Sequence, residues 1–224
     1  MISVTAIVLS GVSERLPIAV LVSGAGTNLQ ALLDTVHERE AQIVAVASNV
    51  PDAPALERAR ERGVACEVFP RARYGDRTAR DQALASWLGE RGARVVALAG
   101  YMELLGAPFL ECFPDGVINV HPSLLPSFPG LQAVEQALAY GVKVFGVTVH
   151  FVDAGVDSGP VILQRAVELP DAREAQEVMS ALRPLEHSML PEAVALLAQG
   201  AVRRDEENPR RVIVDLPALR GGGG

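Results

Sequence analysis

Short apolar runs alternate with amphipathic stretches along the first 120 residues, and glycine or turn residues separate them. Short apolar runs fit buried strands, whereas apolar positions that repeat every three to four residues fit helices packed on a sheet. The pattern therefore predicts an α/β fold with a doubly wound, mostly parallel sheet flanked by helices. The predicted strands cover residues 18–22, 43–48, 65–69, 95–99 and 116–120, and the predicted helices cover 27–39, 53–62, 77–91 and 107–112.

The pattern changes after this unit. A helix is predicted over 131–140, and two longer β-rich runs, 143–153 and 159–169, follow it. We expect this β-rich C-terminal part to extend the same sheet. A long amphipathic helix near 174–199 would pack back onto the sheet, and residues 212–216 would form a last, peripheral strand.

A chain of 224 residues is long enough for one well-buried domain. We expect an N-terminal extension over residues 1–16, a single domain over 17–216 and a flexible tail over 217–224. The apolar run VTAIVL near the N-terminus is too short to span a bilayer, and it lacks the basic flank and cleavage site of a signal peptide. No membrane association is therefore expected.

Charge and composition narrow the function classes. The net charge is −7, which does not suit a protein that binds nucleic acid by neutralising phosphates, although a helix N-terminus can still hold a small anion. The four histidines and two cysteines show no metal-ligand spacing, so no metal site is predicted. Two cysteines form no disulfide framework, which indicates a reducing, cytoplasmic setting.

A glycine loop follows the first strand, in LVSGAGTNLQALLD. Gly24 and Gly26 would let an anion approach the backbone N–H groups of the helix that begins at Thr27 or Asn28. The segment lacks the GK[ST] of a Walker loop and the third glycine of GxGxxG. A phosphate-binding loop and a plain strand–helix turn therefore both remain open.

A second group of candidates surrounds the segment VINVHPSLLPSFPG. Asn119 and His121 share one face of the predicted strand, and the prolines that follow impose a stiff loop. Asp157 lies in a glycine-bounded loop, where a carboxylate could orient an imidazole. Asn119 could donate to an oxyanion and His121 could transfer a proton, although a lone histidine is more often structural. Ser123 and Ser127 lie outside a GxSxG elbow, so a serine hydrolase is the weaker alternative.

The other histidines and Glu186 have simpler interpretations. His150 alternates with apolar residues and is expected to be a buried, hydrogen-bonded side chain. His37 is expected on a solvent-facing side of its helix. By spacing alone, Glu186 and His187 look like part of a solvated helix face.

Four segments, SGAGTNLQAL, VVALAGYMELL, INVHPSLLPSFPG and GVTVHFVDAGVDSGPVILQ, resemble the glycinamide ribonucleotide formyltransferases in their order and separation. The resemblance covers residues 17–200. It implies a formyltransferase-like variant of the Rossmann fold. It also implies an enzyme of purine biosynthesis that transfers the formyl group of 10-formyltetrahydrofolate to the amine of glycinamide ribonucleotide, by direct attack through a tetrahedral intermediate.

The resemblance further implies that the folate is a co-substrate, with no tightly bound cofactor and no metal. The expected partners are these two small molecules, not nucleic acid or a membrane, and the protein would be a monomer or a homodimer.

Roles of individual residues also follow from the resemblance. The implied catalytic trio is Asn119, His121 and Asp157. The implied ribonucleotide-binding residues are Gly24, Ala25, Gly26, Thr27, Asn28 and Glu186. The implied folate-binding residues are Arg77, Met102, Glu103, Leu104, Leu105, Asn119, Val152, Asp153 and Asp157. This interpretation replaces the solvated one for Glu186.

Some positions depart from the family's pattern. The family often has a basic residue in place of Glu103 and in place of Ser127, and residues 132–135 replace its histidine and arginine positions. These changes remove positive charge near the anionic ligands, which puts the affinity for them in question.

Three alternative functions remain at this stage. The same trio could hydrolyse formyltetrahydrofolate, but hydrolysis needs no phosphate-binding loop. Formylation of methionyl-tRNA would call for an extended basic domain, which we do not expect here. A non-catalytic regulator that binds folate or nucleotide would be free to lose part of the trio, and all three residues are present.

Overall fold

The computed structural model describes residues 15–215, in which a seven-stranded sheet has the order β3-β2-β1-β4-β5-β6-β7. Strands β1 to β5 are parallel, and β6 and β7 continue the sheet in antiparallel orientation. The seven strands are β1 (Leu16–Val22), β2 (Ala41–Ser48), β3 (Ala65–Val68), β4 (Val95–Leu98), β5 (Val117–His121), β6 (Val144–Phe151) and β7 (Val161–Glu168).

Helices cover both faces of this sheet. They are α1 (Thr27–Thr35), α2 (Pro54–Glu61), α3 (Arg77–Glu90), α4 (Ala107–Cys112), α5 (Ala133–Tyr140) and α6 (Ala175–Ala198). The larger core cluster contains buried residues of α1, α2, α5 and α6, and the smaller cluster contains those of α3 and α4. Alternate residues of β5 point to the two clusters, Ile118 and Val120 to the larger and Val117 to the smaller. The predicted doubly wound fold is confirmed.

The helix predicted over 27–39 ends early, at Thr35. Glu38 has a φ of 62°, a left-handed conformation that cannot continue an α-helix, and His37 forms an isolated bridge to Ala41. The expectation that His37 faces solvent is wrong. Its ring is buried, and its Nδ1 accepts the Ile43 N–H at 3.1 Å.

A small second sheet follows α6. Strands β8 (Val202–Arg204) and β9 (Val212–Val214) pair in antiparallel orientation. The predicted peripheral strand corresponds to β9, whereas β8 was not predicted. The expected extension and tail lie outside the described residues, apart from Arg15 and Leu16, the first residue of β1. No helix within residues 15–215 has the length and apolarity that a membrane crossing requires.

We predict that His37 makes the folded state sensitive to acid. Burial lowers the pKa of His37 below its ordinary value of 6.5; Glu38 opposes this shift, and Arg62 and Arg15 add to it. The unfolded chain therefore binds more protons than the folded state at pH values below about 6.5, so the free energy of unfolding falls there. Urea unfolding at pH 7.5 and 5.5 should show a smaller pH-dependent loss for His37→Gln than for the unmodified protein.

The pKa of His187 is also lowered, again mainly by burial. His187 therefore also lowers the free energy of unfolding in acid. It does so in both the unmodified protein and the His37→Gln variant, so the difference between these two proteins isolates His37. An equal pH dependence in the two proteins would contradict the assignment.

Candidate active site

Two of the predicted ligand-binding segments leave the sheet from adjacent strands. The glycine loop follows β1, and the segment that contains Met102 follows β4, the neighbour of β1. The sheet order reverses between these strands, and ligands of α/β sheets bind at such a switch point. The Ser23 hydroxyl accepts the Met102 N–H at 2.8 Å and donates to the Asn49 side chain at 2.5 Å. The two segments are thereby joined at the carboxyl ends of β1 and β4.

The Asp157 carboxylate is the centre of a polar cluster. Its Oδ2 accepts the Gly130 N–H at 2.8 Å and lies 3.3 Å from His121 Nδ1. Its Oδ1 accepts a hydrogen bond from Asn119 Nδ2 at 3.2 Å and lies 3.5 Å from His150 Nε2. The structure therefore brings the three residues of the predicted trio together within hydrogen-bonding or ion-pair distance.

Opposing effects act on the pKa of Asp157. Burial raises it, but the contact with His150, the Gly130 N–H and the charges that His121 and His150 carry when protonated lower it to about 2. Of the two contacts, the hydrogen bond from the Gly130 N–H is the stronger by geometry, because its length is 2.8 Å, whereas His150 Nε2 lies 3.5 Å from the carboxylate. Asp157 is therefore ionised at neutral pH and can stabilise a protonated imidazole.

Both ring nitrogens of His121 face acceptors. Nε2 lies 2.9 Å from the Phe128 carbonyl oxygen, and Nδ1 faces Asp157. This arrangement suits the imidazolium form, which donates at both nitrogens. Because Phe128 belongs to the loop rich in proline, that loop fixes the orientation of the catalytic candidate.

His150 completes the cluster and was missed as a site residue. It pairs with Asn119 across β5 and β6, so the two side chains share a face, and its Nε2 lies 3.3 Å from Asn119 Nδ2. The prediction that it is buried and hydrogen-bonded is confirmed, since its Nδ1 lies 2.8 Å from the Phe151 carbonyl oxygen. The alternation around His150 predicted burial, but only the register of β5 and β6 reveals its place beside Asn119.

A second polar pair joins the two predicted ribonucleotide-binding segments. Asn28, in the first turn of α1, donates to Glu186 of α6 at 3.3 Å, although 158 residues separate them. Burial raises the pKa of Glu186, while Asn28 and Arg183 lower it. Glu186 is buried, so the solvated interpretation is wrong. The buried Asn28 Oδ1 has no hydrogen-bond partner among the described residues, and it can therefore accept a further donor.

The glycine loop depends on one of its two glycines. Gly26 precedes α1 with a φ of 73°, and a Cβ there would lie 2.5 Å from the Ala55 Cβ. Gly24 has no positive φ and no such neighbour within 4 Å. Arg58, which sequence reasoning missed, holds the loop by donating from Nε to the Ala25 carbonyl at 2.8 Å.

The predicted folate-binding residues after β4 form a partly exposed apolar surface. Met102 and Leu104 are 65% and 56% exposed, and Leu105 packs against the smaller core cluster. Arg77 is exposed at the start of α3. Its side chain lies next to Gly106, since a Cβ added to Gly106 would be 3.7 Å from Arg77 Nε. These residues lie at the carboxyl ends of the parallel strands, as the glycine loop does.

The other predicted folate segment stabilises its own loop. Val152 packs against the smaller core cluster, and its N–H donates to the Val117 carbonyl at 2.9 Å. The Asp153 carboxylate accepts the Ser158 hydroxyl at 2.6 Å and the Gly155 N–H at 3.1 Å. Asp153 therefore shapes the loop that carries Asp157.

Two alternative chemistries gain no support from the geometry. The Ser123 hydroxyl donates to the Ser127 carbonyl at 2.6 Å, so it serves the loop as a structural hydrogen bond. Across residues 15–215, no group of three or more histidine, cysteine, aspartate or glutamate side chains is arranged to hold a metal ion.

Comparison with known proteins gives the family. A family model described as formyl transferase matches residues 16–194. The chain belongs to the formyl transferase family. The resemblance found in the four sequence segments is thereby confirmed.

The relatives of this chain differ in how much of their own length it spans. The chain is 42% identical to the trifunctional purine biosynthetic protein adenosine-3 of Bos taurus, over 86% of its own length but only 19% of that protein's. It is 37% identical to the phosphoribosylglycinamide formyltransferase of Bacillus subtilis, over 80% of this chain and 93% of that protein. The crystal structure of glycinamide ribonucleotide transformylase 1 from Symbiobacterium toebii superposes with a TM-score of 0.85 at 46% identity, covering 89% of this chain and 94% of that one.

We predict that the two glycines of the loop differ in their effect on stability. Gly26→Ala forces a side chain into a left-handed conformation and against Ala55, so the free energy of unfolding should fall by about 1–3 kcal/mol. Gly24→Ala, the matched control, should change it by less than about 0.5 kcal/mol. Urea unfolding monitored by circular dichroism measures both, and equal effects would contradict the role given to Gly26.

Proposed function

We propose that this protein transfers the formyl group of 10-formyltetrahydrofolate to the amine of glycinamide ribonucleotide in de novo purine biosynthesis. The observation that carries the proposal is the presence in one structure of the Asp157 cluster and the Asn28–Glu186 pair. The first can perform acyl-transfer chemistry, and the second can hold an amine substrate. The names of the relatives from Bacillus subtilis and Symbiobacterium toebii support the same reaction.

The reaction is direct acyl transfer. The substrate amine attacks the formyl carbon, a tetrahedral oxyanion forms, and the folate nitrogen leaves after it is protonated. Asn119 donates to the oxyanion, and so does His121 once one of its N–H groups leaves the acceptor that it faces in the structure, the Phe128 carbonyl or Asp157. A well-placed donor contributes about 3 kcal/mol to transition-state stabilisation. Asp157 stabilises the protonated form of His121 and helps to relay the proton through water. The protein forms no covalent intermediate.

In the structure, Asn119 Nδ2 is within reach of both Asp157 and His150. The amide therefore has to give up one of these contacts when it donates to the oxyanion. Such an exchange fits a catalytic hydrogen bond that tightens only as the transition state forms.

The ribonucleotide binds between the glycine loop and α6. Its phosphate meets the backbone N–H groups at residues 24–28, where the dipole of α1 favours an anion. Its amine meets Glu186, whose carboxylate is already oriented by Asn28. The partial positive charge at the N-terminus of α1 offsets part of the chain's net negative charge at this point.

The folate binds along the exposed apolar surface after β4 and the loop that carries Asp153 and Asp157. It is a co-substrate that leaves after each turnover, with no tightly bound cofactor and no metal in the reaction. The protein acts on these small molecules as a monomer or a homodimer. Cys66 and Cys112 are free thiols, which supports a reducing, cytoplasmic setting.

Hydrolysis of 10-formyltetrahydrofolate is the second candidate, because water could replace the amine at the same trio. The Asn28–Glu186 pair counts against it, since hydrolysis gives that pair no substrate to hold. The absorbance change on release of tetrahydrofolate, recorded with and without glycinamide ribonucleotide, separates the two. Release that requires the ribonucleotide supports transfer, release without it supports hydrolysis, and folate binding without release supports a regulator.

We predict that His121→Ala lowers turnover by about a hundredfold or more while folate affinity stays within a few-fold. A group that acts in the transition state contributes to the rate and little to ground-state binding. Steady-state kinetics and a tetrahydrofolate titration provide the two numbers. Comparable losses in both would make His121 a packing or binding residue instead.

We predict that Glu186→Gln raises the Michaelis constant for glycinamide ribonucleotide by about tenfold, because a hydrogen bond to a charged group is worth about 1.5–3 kcal/mol. Folate binding should not change. Glu192→Gln is the matched control, since Glu192 lies in the same helix and pairs with Arg165. Unaltered ribonucleotide kinetics in Glu186→Gln would rule out its contact with the amine.

A further inference from the structure

Arg80 is a buried charged residue outside the cluster around Asp157. It lies in α3 and its side chain is 1% exposed. Its guanidinium donates to Asp81 Oδ1 from Nε at 3.1 Å and from Nη2 at 2.8 Å. It also donates from Nη1 to Glu103 Oε2 at 2.7 Å and from Nη2 to the Leu104 carbonyl at 3.0 Å. One side chain thus contacts two consecutive residues of the segment that follows β4.

Asp81 extends this contact by two residues. Its Oδ2 accepts the Gly106 N–H at 2.7 Å, and its side chain is fully buried. Arg80 and Asp81 together hold residues 103, 104 and 106, and Ser23 holds the N–H of Met102. We call Arg80 and Asp81 the α3 clamp. It fixes the segment that connects β4 to α4.

Burying an arginine is costly, and a buried ion pair is seldom a net source of stability. The α3 clamp is therefore better explained by the conformation that it imposes. A planar guanidinium with donors in a fixed fork suits a site with three separate acceptors, which a lysine ammonium would not match in geometry. The segment it fixes presents the exposed side chains of Met102 and Leu104.

We propose that Arg80 is a positioning residue for 10-formyltetrahydrofolate. Together with Asp81 it holds residues 102–106 in the conformation that offers Met102 and Leu104 as an apolar wall to the folate, so that little ordering is needed on binding. This inference rests on the proposed function, and it places Arg80 outside contact with the folate itself.

The α3 clamp also explains why an acidic residue, Glu103, stands where the glycinamide ribonucleotide formyltransferases often have a basic one. Glu103 is the partner of Arg80, and its side chain is 26% exposed. Arg80 of α3 supplies the positive charge next to the segment after β4, and Glu103 of that segment supplies the negative charge. The negative charge of Glu103 is therefore paired within the protein.

The test compares Glu103→Gln and Arg80→Met with the unmodified protein. Glu103→Gln keeps the shape of the side chain and leaves Arg80 paired with Asp81, so it should fold even if Arg80→Met does not. We expect the Michaelis constant for 10-formyltetrahydrofolate to rise about threefold in Glu103→Gln and tenfold or more in Arg80→Met. The Michaelis constant for glycinamide ribonucleotide should stay within twofold, and Arg80→Lys should recover only part of the loss.

Leu88→Ala is the control for a purely structural effect. Leu88 is fully buried two turns further along α3, so this variant should lower the melting temperature without separating the two Michaelis constants. Equal changes for both substrates in Glu103→Gln, or a folate constant within 1.5-fold of the unmodified protein, would overturn the proposal.

A direct titration with tetrahydrofolate keeps this test apart from the test of the proposed function. If the unmodified protein binds tetrahydrofolate but transfers no formyl group to glycinamide ribonucleotide, the proposed function fails, and the titration of the variants still tests the α3 clamp. Weaker tetrahydrofolate binding by Glu103→Gln than by Leu88→Ala supports the clamp, and equal binding refutes it.

Discussion

A carboxylate that is largely removed from water needs hydrogen bonds or nearby positive charge, and Asp157, whose side chain is 15% exposed, obtains them from three segments of the chain at once. Strand β5 supplies Asn119 and His121, β6 supplies His150, and the proline-rich loop supplies the Gly130 N–H. A shift of any of these segments would remove one of the contacts that the carboxylate makes. The chemistry of the site and its rigidity therefore have the same origin.

The sequence was most informative about features that depend on neighbours along the chain. Apolar runs and their spacing predicted the sheet, and alternation placed Asn119 and His121 on one face. Strand β8 was missed because three residues carry too little pattern. His37 was misplaced because a regular helical period was extended past Thr35, where tertiary contacts of the ring take over. Periodicity cannot reveal where a helix gives way to such contacts.

The features that were not predicted depend on contacts between distant segments. The position of His150 beside Asn119 requires the register of β5 and β6, and the Asn28–Glu186 pair requires α1 and α6 to pack together. Spacing alone indicated a solvated Glu186, and only the resemblance corrected this. Neither periodicity nor composition signals that the fully buried Arg80 lies beneath the segment after β4. The chemistry of such residues becomes visible only in three dimensions.

The antiparallel register of β6 also limits how the length of this chain can change. His150 faces Asn119, while its neighbours Val149 and Phe151 belong to the larger core cluster on the opposite face. Inserting or deleting one residue in β6 would bring an apolar side chain to the catalytic face and bury the imidazole in the core. Strand β7 has more freedom, because an irregularity in its pairing next to His150 already accommodates one unmatched residue. We therefore expect a change of one residue in length to be less disruptive in β7 than in β6.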